Sequence, residues 1–266
     1  MKICMAGASG RMGRRILEMA LASGDVGIGG AFDLPGRAGN VMSVGGESGT
    51  PIEITLAVDA KDALAASDVL IDFTYAGACL GNVMAAADAG KPAVVGTTGL
   101  NTSQRGELAE MAKRVPVVFA PNMSVGVNLL FKLTEQVAGI LGLDYNVEIV
   151  EVHHNMKKDA PSGTAIRLGE CAATALGLDF ARDAADGRSG ITGERPRGQI
   201  GMHALRGGDV VGEHTVSFFG PGERIELTHK AHNRDNFARG ALIAARFAVK
   251  AAEPGLYDMQ DVLGLR

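Results

Sequence analysis

The sequence lacks any charge-free run of about 18 apolar residues, so no segment is expected to span a membrane. It also lacks a positive excess. Lys and Arg together number 26 against 30 Asp and Glu, a formal net charge of -4. Without a global positive field to gather phosphates, no nucleic-acid or membrane-surface role is expected, and any anionic ligand must be met by local charge. Cysteines are few. Cys4, Cys79 and Cys171 are scattered with no CxxC pair, which reads as reduced thiols of a cytoplasmic protein, not a disulfide framework or a metal site. The opening MKICMAGASG is too short and too glycine-broken to read as a signal peptide. Ser-His-Asp order, paired catalytic carboxylates and HExxH are absent too, so hydrolase templates gain no support. The eleven methionines are scattered and read as core filler.

What is present supports a substantial core. Hydrophobic residues make up 46% of 266 positions and charged residues 21%, a length and balance that fit one large or two modest domains. Residues 2–6, KICMA, are a short apolar run, followed by GASGRMGRRILEMALAS with apolar residues at helical spacing. The layout is strand, glycine turn, helix. Gly7, Gly10 and Gly13 form GxxGxxG, where glycine permits a tight turn, close approach to a pyrophosphate and close helix packing. The helix start then offers N–H donors and a positive dipole end, so Gly7, Ala8, Ser9, Gly10, Arg11 and Met12 are the expected phosphate cradle. Alone the motif also fits an ordinary glycine-rich turn. VGIGGAFD (26–33) reads as a second strand ending in Asp33, roughly 20 residues past the last glycine, where an acid that accepts from the ribose hydroxyls is expected. Asp33 alternatively forms the turn before Leu34-Pro35-Gly36.

The alternation continues with strands in 68–75, 92–99 and 115–124 and helices in 77–90 and 103–114. This βαβα order predicts a parallel sheet with helices on both faces, whose ligands sit at the C-terminal strand ends. Those ends include Asp33, Asp72–Thr74, Gly96, Thr97 and Thr98, and Ala120, Pro121, Asn122 and Met123. Asp72 reads either as a structural cap or as ligand-facing.

From residue 124 the pattern changes. A long helix over 124–141 precedes YNVEIVEVHH (145–154), which alternates like a half-buried strand, and 163–177 reads as an amphipathic helix. Residues 181–197 read as a loop or flexible connection. Three strand-like runs in 198–232, punctuated by Gly207-Gly208-Asp209 and Gly220-Pro221-Gly222, predict an antiparallel meander. A last helix over 236–253 is expected to return to the main body. The expected fold class is therefore α/β: a Rossmann-type parallel sheet plus a second α+β domain with a mixed, largely antiparallel sheet. The expected division is 1–123 with 235–266 against 124–234, with a cleft between the two, hinges near Met123–Ser124 and His232–Asn236, and the exposed sheet face as an oligomer interface.

EVHHNMKKDAPSGTA (151–165) concentrates polar groups. Pro161 suits a helix start, Ser162 fits an N-cap, and the amides of Gly163 and Thr164 fall in the first turn, a cradle for a carboxylate. Lys157 and Lys158 bring positive charge and His154 another donor. A capped helix beside a solvated lysine pair is the bland alternative. A dinucleotide site combined with an anion site points to hydride transfer to a polarised C=N or C=C, whose negative charge a lysine proton quenches. His203 and His214 read as structural residues of the strand region; His229, His232 and Arg234 read either as approaching the cleft or, the favoured alternative, as a polar strand end.

The set GASGRMGR (7–14), DFT (72–74), GTTG (96–99), APNMSVGVNLLFKL (120–133), EVHHNMKKDAPSGTA, GDVVGEHTV (208–216) and ELTHKA (226–231) resembles the 4-hydroxy-tetrahydrodipicolinate reductase family over essentially the whole chain. The resemblance implies reduction of a cyclic dicarboxylate with NADH or NADPH in the diaminopimelate route to lysine, by a homotetramer built on the second-domain sheet. It implies that His153 donates and accepts protons and that Lys157 protonates the reduced ring. His154, Ser162, Gly163 and Thr164 then hold the substrate carboxylates, and Gly96–Thr98 with Ala120–Met123 line the nicotinamide half. Leu34 stands where members that use NADPH well often carry arginine, which implies a preference for NADH, with NADPH possible through Arg37 or Arg11. Two other readings stay open: a different NAD(P)-dependent imine or amino-acid dehydrogenase, and a dinucleotide-sensing regulator.

Overall fold

The computed structural model describes residues 1–45 and 51–266. In chain order the first elements are β1 (Lys2–Ala6), α1 (Arg11–Ser23), β2 (Gly27–Phe32), β3 (Val41–Val44), β4 (Ile52–Thr55), α2 (Ala60–Leu64), β5 (Val69–Asp72), α3 (Ala76–Asp88), β6 (Ala93–Val95), α4 (Thr102–Met111), β7 (Pro116–Phe119) and α5 (Val125–Leu141). Then follow β8 (Asn146–His153), α6 (Gly163–Leu176), α7 (Phe180–Asp183), β9 (Ala184–Asp186), β10 (Ile200–Arg206), β11 (Gly212–Gly220), β12 (Glu223–Ala231), α8 (Asp235–Lys250), β13 (Gly255–Tyr257) and α9 (Met259–Leu263). The chain divides into two compact units, Met1–Val125 with Arg234–Arg266, and Gly126–Asn233.

The first unit is a parallel sheet in the order β13-β7-β6-β5-β1-β2. Alternation along each strand feeds two cores. Ile3, Met5, Val69 and Ile71 pack with Ile16 and Leu17 of α1 and Ala241 and Ala245 of α8. Cys4, Ala6, Leu70 and Val95 pack with Val83 of α3 and Leu108 of α4. Strands buried on both faces carry continuous apolar runs, as Val69-Leu70-Ile71 of β5 illustrates before the strand ends at the buried Asp72. Arg15 donates from Nε and Nη2 to the Asp235 carboxylate at 2.6 and 2.7 Å, tying α1 to the start of α8. The pair β3–β4 and the terminal β13 and α9 carry no strong periodic signal, and the sequence pattern passes over them.

The second unit holds the sheet β12-β11-β8-β10-β9. It corrects the expected meander. Only β11 and β12 form a hairpin. β8 lies between β11, which it meets antiparallel, and β10, which it meets in parallel. The long connection from β8 through α6 permits the parallel pairing, and the turn signal at 207–209 does not close a hairpin. Val147, Ile149, Ile200, Met202, Val216 and Phe218 face α5 and α6 and form this unit's core. Residues 181–197 are also more ordered than expected. Ala184–Asp186 pair in parallel with β10, and Arg188 and Arg195 both donate to the Glu148 carboxylate, which anchors the intervening coil.

Candidate functional site

In the first unit every element expected to line a dinucleotide ends at the same edge of the parallel sheet. Gly7 follows β1 at φ +77°, and a Cβ there would lie 2.5 Å from the Phe73 carbonyl oxygen. Gly13 sits in the first turn of α1 with no room for a Cβ, which would overlap the Gly7 carbonyl oxygen and the Ala8 backbone. The turn therefore requires glycine at both places, one for conformation and one for close approach. Gly10 is the N-cap of α1, no side chain caps it, and no acidic residue lies in the first turn. The helix start thus keeps its backbone donors for a ligand. Ala8 is buried, Ser9 and Met12 are half-buried, and Gly10 and Arg11 are exposed.

Asp33 stands just past β2. Its carboxylate accepts from the Ser9 amide at 2.8 Å, the Ser9 hydroxyl at 2.6 Å and the Leu34 amide at 2.8 Å. Burial would raise this carboxyl, but the Ser9 and Leu34 donors, aided by the charge of Arg37, hold it below the usual carboxylate range. Leu34 is 53% exposed. The strand-end acid is thereby coupled directly to the glycine turn.

The other strand ends divide. Asp72 is fully buried and accepts from the Thr74 amide and hydroxyl, from Asn82 Nδ2 and from Thr97 Oγ1. Of its two readings, the structural one describes these contacts. The Thr97 hydroxyl is committed to that network, whereas Thr98 is exposed and the Gly96 amide donates to the Asp72 carbonyl. Ala120 and Met123 belong to the core, so they present backbone, not side chains, while Pro121 is exposed and Asn122 Oδ1 accepts from the Ser124 amide. Burial, with the charge of Asp72 adding to it, pushes the Cys4 thiol up to about 12 and raises Cys79 as well, so both are unreactive packing residues.

The second unit gathers its polar groups at one end of β8. Alternation places Val147, Ile149, Glu151 and His153 on the face that meets α5 and α6. Register sets Ala204 of β10 and His214 of β11 on either side of Glu151, and Arg206 beside His153. Glu151, with no exposed side chain, accepts from Arg206 Nη1 at 2.7 Å and Nη2 at 2.8 Å, from the Ser162 amide at 3.0 Å, and meets His153 Nδ1 at 2.6 Å. Burial would raise its carboxyl; hydrogen bonds from Arg206 and His153 outweigh it and hold the group below its ordinary range. Desolvation, with the nearby His153 charge next, pushes the His214 imidazole down to about 3, so it is neutral at pH 7. His214 Nε2 lies 2.9 Å from the Ser162 hydroxyl, and its ring packs edge-on to His153 at 5.2 Å.

Ser162 is the N-cap of α6, its hydroxyl accepting from the Ala165 amide at 3.1 Å. That hydroxyl and the Ser162 amide are both engaged within the protein; in the first turn Gly163 is exposed and Thr164 half-buried. Lys157 has a side chain 17% exposed and donates to both oxygens of Asp159 at 2.8 Å. This pairing holds the Asp159 carboxyl below the usual carboxylate range. Lys158 is exposed. The His154 amide donates to the Val210 carbonyl, and its Nδ1 is buried with no hydrogen-bond partner. The sequence reading thus missed Glu151, Arg206 and Asp159 and set His214 aside. One signal was available: a glutamate at an inward place of an alternating strand needs partners.

The family model described as dihydrodipicolinate reductase, N-terminus, matches residues 1–123, and the one described as its C-terminus matches residues 126–263. A 4-hydroxy-tetrahydrodipicolinate reductase of Citrifermentans bemidjiense is 51% identical, covering 100% of this chain and 99% of its own length. One from Anaeromyxobacter is also 51% identical, covering 99% and 98%. A dipicolinate-bound dihydrodipicolinate reductase from Paenisporosarcina shares the fold at TM-score 0.76 and 21% identity, with 97% of each chain covered. A probable dehydrogenase from Thermotoga maritima shares it at TM-score 0.61 and 13% identity, covering 100% of this chain and 93% of that one. The two family models together span both units, and the chain belongs to the dihydrodipicolinate reductase family.

Proposed function

We propose that this chain reduces 4-hydroxy-tetrahydrodipicolinate, a cyclic dicarboxylate, with a nicotinamide dinucleotide in the diaminopimelate route to lysine. Family membership carries the reaction class, an NAD(P)H-dependent oxidoreductase. The observation that supports the substrate class best is a polar block in the second unit. His153 and His154 at the end of β8, Lys157 just beyond it and the Ser162-capped start of α6 follow one another within one short stretch of chain. His154 and the first-turn amides of Gly163 and Thr164 hold carboxylates, and Ser162 fixes that turn as its cap. Lys157 delivers a proton to the reduced ring and His153 exchanges protons with the substrate. Lys158 adds charge without touching the ring.

A dinucleotide fits the first unit. The glycine turn excludes side-chain atoms where a pyrophosphate must approach, and α1 begins without a competing cap. Gly7–Met12 take the pyrophosphate, Asp33 the ribose, and Gly96–Thr98 with Ala120–Met123 the nicotinamide half, Thr97, Ala120 and Met123 through their backbone. When bound, the nicotinamide supplies the hydride. NADH is preferred, because Asp33 is followed by Leu34, and NADPH use relies on Arg37 or Arg11. The first unit, with its C-terminal helix, is the dinucleotide domain and the second the substrate and assembly domain. The sheet face opposite α5 and α6 carries Val150, Val152, Leu205 and Phe219, the last two 49% and 36% exposed, which supports a homotetramer built on that face.

The test is nicotinamide oxidation followed by absorbance with freshly generated substrate. Oxidation with this substrate and not with open-chain imines is expected. Oxidation with open-chain imines instead would make the chain another dehydrogenase, and none with either would favour a sensor.

A further inference from the structure

We propose that Glu151 is a positioning residue that holds the His153 ring with Nδ1–H inward and Nε2 toward substrate, and that Arg206 is the counter-ion that keeps Glu151 in this role. The inference rests on the reading of His153 as a proton-exchanging residue.

The geometry begins with a carboxylate where the pattern of β8 calls for an apolar side chain. A buried carboxylate is costly unless donors surround it. Glu151 has four: both ends of the Arg206 fork, the Ser162 amide and His153. The parallel fork is the charge-assisted arrangement that suits a carboxylate best. Arg206 is itself oriented, donating from Nη2 to the Asp159 carbonyl at 2.7 Å. An ionised carboxylate can only accept, so the 2.6 Å contact requires the proton on His153 Nδ1. Nε2 is then the atom that gains or loses a proton during turnover.

The surroundings of Nε2 agree. Gly212 of β11 lies alongside, and a Cβ added there would stand 3.0 Å from Nε2, so glycine leaves this ring edge uncovered. His214, directly across from Glu151 in register, walls the ring on one side and donates or accepts only toward Ser162. Neutral, it does not compete with His153 for the charge of Glu151. The Ser162 amide contact links the same carboxylate to the start of α6, so one side chain sets both the ring and the helix that is to bind substrate.

Two measurements decide the proposal. Long-range proton–nitrogen spectra of the imidazoles, assigned by loss of a signal in His153→Ala, should show wild-type His153 as the Nδ1–H form when neutral. A predominant Nε2–H form would overturn the proposal, and this experiment needs neither turnover nor a Glu151 variant that folds. In kinetics, Glu151→Gln should lower kcat by about 100-fold with KM for NADH unchanged. The same substitution in a His153→Ala background should cost under about 3-fold more, because residues acting as one unit are not additive. Equal losses in both backgrounds would overturn the proposal, since Glu151 would then act only through the α6 start. Near-wild-type turnover of His153→Ala would instead remove His153 from the mechanism, while the spectrum would still report whether Glu151 orients its ring.

Discussion

The two units build polar sites by opposite means. In the first, the interior of strands such as β5 is apolar, the buried Asp72 comes only at the strand end among its own donors, and the edge that is to meet a dinucleotide is made of glycine, backbone amides and a helix start. In the second, charge enters the sheet itself. Glu151 sits in the buried row of β8 with Arg206, His153 and His214 around it, and Glu148 on the opposite face gathers Arg188, Arg195 and His203. A site made of backbone fails when volume is added. A site made of side chains fails when a charge or proton is removed. The units should therefore respond to different substitutions, and mixed responses would break the contrast.

The largest effect is expected from the second unit's half-buried lysine, which Asp159 pairs. Lys157→Ala should lower kcat by about 1,000-fold, within the range for loss of a general acid, with NADH affinity unchanged. Lys158→Ala, one residue away and exposed, should change kcat by under about 3-fold, as surface substitutions usually do. Turnover of Lys157→Ala close to wild type would remove Lys157 from the chemistry. In the first unit the matching experiment adds volume. Gly13→Val forces side-chain atoms into the Gly7 carbonyl and Ala8 backbone, and such overpacking costs about 1–3 kcal/mol. NADH affinity by titration should fall by about 100-fold while dipicolinate affinity, measured calorimetrically on the same protein, holds, since about 2.7 kcal/mol corresponds to that ratio. Equal weakening of both ligands would erase the contrast.

The two styles also differ in how far they can be read from sequence. The parallel sheet was legible because β1, β5, β6 and β7 are short apolar runs bounded by glycine or helix, and the glycine turn has fixed spacing. The β3–β4 pair and β13 were not, since VMSV, IEIT and GLY mix apolar residues with polar ones or glycine and form no apolar run. In the second unit β8, α6 and the Ser162 cap were legible from alternation and a capping residue, but strand order was not. Nothing local in GQIGMHALRG states that it will pair in parallel with β8 and leave the hairpin to its successors. The candidate site followed the same rule. Lys157 and His153 stood within one block, whereas Arg206 and His214 reach Glu151 only through register across three strands. Local chemistry was readable and non-local partnership was not.

A pH experiment probes the second unit's dependence on protons. In the unfolded chain the His214 imidazole takes a proton below about 6.5, whereas in the folded chain burial delays this to about 3. Between those values the unfolded state binds more protons, so stability falls as pH falls. Urea unfolding at pH 7.5 and pH 5.0 should differ by about 2 kcal/mol from this group, at roughly 1.4 kcal/mol per pH unit below 6.5. His214→Gln keeps a hydrogen-bonding group facing Ser162 and removes the titration, so its stability should change less over the same interval. An unaltered pH dependence in that variant would assign the loss to other groups.

The smallest expected effect lies where the first unit departs from its own style. Asp33 is the one ionised side chain among its expected cofactor contacts, apart from the exposed Arg11, and Ser9 and Leu34 hold it as an acceptor. An acceptor-only group bonds ribose hydroxyls and repels a 2′-phosphate, and the exposed Leu34 beside it supplies no cation. Arg37 acts on Asp33 only through space. The balance should favour NADH over NADPH by about tenfold in kcat/KM, a difference near 1.4 kcal/mol. Leu34→Arg should move the ratio toward NADPH by about the same factor, since a guanidinium can pair with the added phosphate. A wild-type preference for NADPH of tenfold or more would sink the assignment. It would also mean that Arg11 or Arg37 controls cofactor choice, and that the backbone-built edge relies on side-chain charge as much as the second unit does.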